Sequence, residues 1–206
     1  MRVMLTRAAL GVALVVASLG AAPDVSTTPS DALTGKLAGG GSYVLRTEGS
    51  APVAAISLWY RAPASGFEND AQPGIGQLAA ATVAASQPIT GTPLGAFVGS
   101  LGGRITVNAY PDSIAISTLV PADHAADVIR AMTVSFFAPV VSPAGLSLAQ
   151  RDLTEEAFVR QYSPGDVIDD LLAGALFLDG PTRYAAYGTP QQVHGVDIDQ
   201  VRAYAQ

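Results

Sequence analysis

Residues 74–86 spell GIGQLAAATVAAS, from Gly74 to Ser86, and Pro88 follows two places on. Alanine and leucine are strong helix formers and proline ends a helix, so the run predicts a helix over 74–86. Its polar side chains are few: Gln77, Thr82 and Ser86. The segments on either side decide what such a helix packs against.

Upstream, Tyr43–Thr47 is a short strand candidate. Pro52–Arg61 (PVAAISLWYR) carries apolar residues on both of its alternating faces, which predicts a central strand covered on two sides. Downstream, Thr92 is expected to cap a second helix, with Pro93 in its first position and Gly102-Gly103 ending it. Arg104–Tyr110 and Ser113–Val120 alternate as two strands joined at Pro111-Asp112. Pro121–Phe137 predicts an amphipathic helix with Ala125, Val128, Ile129 and Met132 on one face. Ser142 caps a helix that opens at Pro143 and runs through Arg160. Pro164–Leu178 predicts another, burying Val167, Ile168, Leu171, Leu172 and Ala175, with Gly180-Pro181 as its stop. A last helix begins near Asp197. A sheet beside several helices makes the expected class α+β.

Composition excludes several kinds of function. Of 206 residues, 49% are hydrophobic and 14% charged, which is globular composition. The formal net charge of −6 argues against a phosphate-backbone binder, which needs clustered Lys and Arg. With no cysteine, disulfides and thiolate zinc sites are excluded, and the two histidines, His124 and His194, cannot make a histidine-rich metal site. Both histidines are expected at the surface. Val98-Gly99-Ser100-Leu101-Gly102 lacks the first glycine of a nucleophile elbow, and Gly74-Ile75-Gly76 lacks the third glycine of a dinucleotide fingerprint. Asp169-Asp170 and Glu155-Glu156 are adjacent pairs; helix neighbours diverge, so adjacency makes no acid/base dyad.

The N-terminus has the layout of a secretory signal peptide over residues 1–22: Arg2 and Arg7, an apolar run from Ala8 to Leu19, then Gly20, Ala21 and Ala22. Removing it takes away two positive charges, so −6 becomes −8. The other reading is an uncleaved anchor, though the run falls short of the ~20 residues a spanning helix needs. Residues 23–41, rich in Ser, Thr, Pro and Gly, are expected to be a flexible linker. A domain is expected over 42–206.

Taken in order, the segments resemble the N-terminal half-unit of the insulinase/pitrilysin metallopeptidases, which include the mitochondrial processing peptidases. The similarity is carried by Tyr43-Val44-Leu45, Ala54–Arg61, Gly74–Ala81, Gly91-Thr92, Leu101-Gly102-Gly103-Arg104, Asp112, Arg183-Tyr184, Tyr187-Gly188-Thr189 and Val196 to Tyr204. It implies an antiparallel sheet backed by helices.

The family motif is H-x-x-E-H on a helix, where imidazoles at i and i+4 grip zinc and the glutamate takes a proton from bound water. On this resemblance the three positions fall on Gln77, Ala80 and Ala81, and the downstream glutamate ligand on Glu156, or Glu155 if the register shifts by one. An amide is a weak zinc ligand and a methyl is none, so no cofactor and no metal-assisted hydrolysis are expected. Blander readings stand beside these. Glu156 is then a solvated helix residue, and Ala80-Ala81 lets the helix pack closely on the sheet.

The resemblance also implies that an extended peptide adds to the sheet edge at Arg104–Tyr110 by β-augmentation. The family's Asn-Ala pair falls on Thr106-Val107, with a literal Asn108-Ala109 two residues on, so Thr106, Val107 and Asn108 are the candidate substrate-binding residues. The implied protein is a non-catalytic subunit, periplasmic or secreted, beside a zinc-bearing peptidase paralogue. It would bind extended peptides, take no nucleic acid and not stay in a membrane. Family units have two similar halves and this chain reaches the end of the first, so C-terminal truncation is expected. Two alternatives remain open: a zinc endopeptidase completed by ligands from another chain, and a fragment without function.

Overall fold

The computed structural model describes residues 32–37, 41–47, 52–62, 72–86, 88–89, 92–177, 181–184 and 186–205. The signal-peptide reading of 1–22 lies outside them. The chain divides into two units, residues 1–51 and 52–206, each taken here by itself.

In the first unit, β1 (Ala32–Lys36) pairs antiparallel with β2 (Ser42–Arg46), Leu33 opposite Leu45 and Gly35 opposite Tyr43. Residues 32–36 were expected within a flexible linker and form a strand instead. Pairing with β2 overrides a local composition that points to no element. Gly35 is needed there, because a Cβ would press on the Tyr43 ring.

In the second unit, β3 (Val53–Arg61), β6 (Thr106–Ala109) and β7 (Ser113–Pro121) form an antiparallel sheet in the order β3-β7-β6. The β6–β7 hairpin turns at Pro111-Asp112, as the alternation predicted, with Tyr110 N–H donating to the Ser113 carbonyl at 2.8 Å. The expectation for β3 is corrected on both counts. Among the described residues it is an edge strand, and one face is open: Trp59 is 59% exposed while Ile56, Leu58 and Tyr60 turn toward the core. The exposed face is still organised. Ala115, opposite Trp59 on β7, is small enough for Trp59 to stack on Tyr110, ring centroids 5.5 Å apart. Ser57 and Ser117, also opposite each other, share a 2.8 Å hydroxyl hydrogen bond.

The run at 74–86 is α1 (Ile75–Ser86), and nearly every side of it is buried. A helix apolar all round belongs inside. Ala80 joins one core cluster, with Ile114, Ile116 and Val120 of β7, Leu94 and Val98 of α2 (Leu94–Ser100), and Val128 and Met132 of α3 (Ala125–Phe137). Ile75, Leu78 and Ala79 join a second, with Leu146 and Ala149 of α4 (Pro143–Arg160), Val193 of α6 (Pro190–Gly195) and Val201 of α7 (Ile198–Ala205). Between α1 and α2, β4 (Pro88–Ile89) pairs with β5 (Thr92–Pro93).

Several boundaries move. Pro93 rather than Thr92 is the N-cap of α2, in extended conformation and without a side-chain cap, because Thr92-Pro93 is held by β4. A single 3-10 turn, Ala122–His124, precedes α3. Its buried side is Val128, Ala131, Met132 and Ser135, with Ile129 exposed, a rotation from the expected face. Ser142 does cap α4, its Oγ accepting from Gly145 N–H at 3.1 Å. α1 and α4 pack closely, and a Cβ on Gly145 would collide with the Ser86 side chain. The largest correction is α5 (Pro164–Leu176), which buries none of its residues.

Candidate functional site

α1, α4 and the β6 edge surround an open cleft of ≈ 790 Å³. α1 contributes Gln77, Ala81, Ala84 and Ala85, spaced so that one side of the helix faces it. From α4 come Asp152, Leu153, Glu155 and Glu156, at the i, i+3, i+4 spacing of one helix face. Arg104, Ile105, Thr106, Val107 and Asn108 form the third side. No described strand pairs with the outer edge of β6.

Gln77 is 3% exposed, yet its amide reaches the cleft. Its Nε2 donates to Glu156 Oε2 at 3.5 Å, a long bond between residues 79 apart in sequence. The carboxylate wall continues into the Arg160 region. Arg160 Nη2 bonds Asp166 Oδ1 at 2.7 Å, and its guanidinium lies 3.7 Å from the Tyr187 ring centroid. The Tyr187 phenol is held protonated above its ordinary range, first by burial. Arg160 opposes that shift, while Glu156, Tyr110 and Asp166 add to it. Tyr187 thus lies within the field of the cleft's acidic wall.

Of the residues singled out from sequence, Gln77, Ala81, Glu155, Glu156, Thr106, Val107 and Asn108 line this one cleft. Ala80 does not; it is 1% exposed and packs in the core beneath the sheet. His124 sits on the 3-10 turn, 4.0 Å from Asp123 Oδ2, and His194 lies in the last turn of α6, its carbonyl accepting from Gln150 Nε2 at 3.2 Å. Neither histidine lines the cleft. Arg104 and Asp152 were not singled out as site residues. Counting back from Glu156 at helical spacing finds Asp152; Arg104 precedes the strand whose edge was singled out.

The donor set fits zinc poorly. Gln77 offers an amide, Ala81 a methyl and Glu156 one carboxylate, where a catalytic zinc site uses three strong ligands and a water. Among the described residues no three His, Cys, Asp or Glu side chains are grouped to hold a metal ion.

The antiparallel sheet and its covering helices give the chain an M16-like peptidase fold, as its likeness to solved structures shows. The chain is similar to a solved M16 peptidase inactive domain from Pseudomonas fluorescens, with TM-score 0.64 and 19% identity over 84% of this chain and 42% of that one. It is similar to an M16-like peptidase from Alicyclobacillus acidocaldarius, with TM-score 0.67 and 13% identity over 84% and 42%. A chain of complex III2 from Candida albicans gives TM-score 0.62 and 16% identity over 83% and 39%. At such identities the likeness is one of fold. This chain spans about two-fifths of the length of each. No family model and no curated protein matches the sequence.

Proposed function

We propose that this chain is an exported, non-catalytic M16-type half-unit that holds an extended peptide along β6 and works beside a zinc-bearing paralogue. The observation that carries the reading is the cleft itself. A strand edge that no described strand pairs with runs along it, and the helix facing that edge presents Gln77 and Ala81, which can neither grip zinc nor activate water. Backbone hydrogen bonds along such an edge give affinity without strict sequence demand, while Ala81, Ala84 and Ala85 leave room for side chains. The N-terminal stretch 1–22 supports export. An exported partner is expected in the periplasm or outside the cell.

The test uses the purified chain after exhaustive dialysis, with and without added zinc. Expected are less than stoichiometric zinc, no cleavage of an unstructured peptide, and saturable binding of that peptide in fluorescence anisotropy. Ala81→Trp, filling the cleft, should weaken that binding at least tenfold. Copurification with an intact paralogue would support the partner role. Stoichiometric zinc with chelator-sensitive cleavage would overturn the reading.

A further inference from the structure

The least satisfied element of the protein lies outside the cleft. α5 carries Val167, Ile168, Leu171, Leu172 and Leu176, exposed at 38%, 61%, 69%, 52% and 65%. At 100° per residue these side chains and Ala175 fall on one half of the helix. Asp166, Asp169 and Asp170 fall on the other. An amphipathic pattern of this kind belongs to a helix with a covered face. A 13-residue helix is also marginal in water without packing. Here it is anchored at its start, where Asp166 binds Arg160.

We propose that α5 is the contact face of a symmetric dimer, in which two copies of this chain pack their α5 stripes antiparallel. Area is the first reason. The stripe exposes roughly 500–600 Å² of apolar surface, at the upper limit of what a monomer leaves open. Two copies together would bury roughly 1,000–1,200 Å² there, which clears the total of about 1,000 Å² that a specific interface needs.

Charge is the second reason. The stripe has no charged residue, so a partner with a charged surface finds no complement there, whereas a copy of the same stripe does. The three aspartates lie on the outer side and in the N-terminal half only. A parallel pair would set them level with one another. An antiparallel pair separates them and opposes the two helix dipoles. A single stripe that matches itself is the requirement of a two-fold interface.

Sedimentation velocity on the purified chain over a hundredfold concentration range tests this. The expected result is a reversible dimer whose dissociation constant rises at least tenfold in Leu171→Asp/Leu172→Asp. Phe137→Asp, at another exposed apolar position, should leave it unchanged. Since α5 buries nothing within one copy, the double variant should keep its far-UV circular dichroism. If helix is lost, Leu176→Glu at the end of the stripe replaces it, with the same rise expected. A monomer throughout, a dimer that survives the α5 substitutions, or one equally weakened by Phe137→Asp would overturn the proposal. None of these outcomes depends on zinc or on peptide binding.

Discussion

At positions 77 and 81 two functional groups separate this cleft from a metal site. Gln77 is buried, faces Glu156 across 3.5 Å, and shares its helix face with Ala81 four residues on. Two imidazoles at 77 and 81 with the Glu156 carboxylate would make the three-ligand set that zinc accepts with an open fourth position. Gln77→His/Ala81→His should therefore bind zinc stoichiometrically in calorimetry at pH 7.5, and adding Glu156→Gln should lower that affinity at least tenfold. Catalysis is not expected to return, because Ala80, where the resemblance would put the base, is a methyl side chain sealed in the core. If the double variant binds no more zinc than the parent, the side chains do not converge as described. From the sequence, the distance between 77 and 156 was accessible only through the family resemblance. It is set by α1 packing on α4, a contact that no local pattern encodes.

At the scale of elements, Tyr60 on β3 and Tyr204 on α7 join the sheet to the last helix. Burial raises both phenol pKa values above the ordinary 10.0, and the Tyr60 phenol raises that of Tyr204 further. The sign follows from linkage: the unfolded chain gives up these protons first, so stability held below pH 10 is lost as pH rises past it. Urea midpoints measured from ~pH 8 to ~pH 11.5 should fall steeply above 10, and Tyr60→Phe should flatten that fall. An unchanged slope would show that the phenol ionises freely in the fold. The sequence made the β6–β7 hairpin and α4 legible because their signals are local: alternation around Pro111-Asp112, and Ser142 before Pro143. It also held a signal that went unread, the capping box of α6, where Thr189 and Gln192 satisfy each other's backbone N–H. α5 and β3 misled for a different reason. Periodicity states which residues share a face and says nothing about whether anything covers it.

For the whole molecule, the question is how much of the stability resides in residues 52–206. Among the described residues, both core clusters draw their members from that unit, between Ile56 and Tyr204. The strands β1 and β2 leave Leu33, Val44 and Leu45 more than half exposed, so they bury little apolar surface of their own. Burial of apolar area is the main favourable contribution to folding. Within 52–206, Gly74 and Gly188 adopt positive φ where the loops before α1 and α6 cross, and a Cβ on either would collide with the opposing carbonyl. The crossing fixes α1 against α6. A chain beginning at Pro52 should therefore unfold in a single transition, keep the near-UV signal of Trp59 and its neighbours, and lose no more than about 1 kcal/mol, roughly 2–4 °C in Tm. Differential scanning calorimetry beside the full chain provides the check. A broad transition, or a near-UV spectrum without fine structure, would mean that the core of 52–206 needs the residues before Pro52.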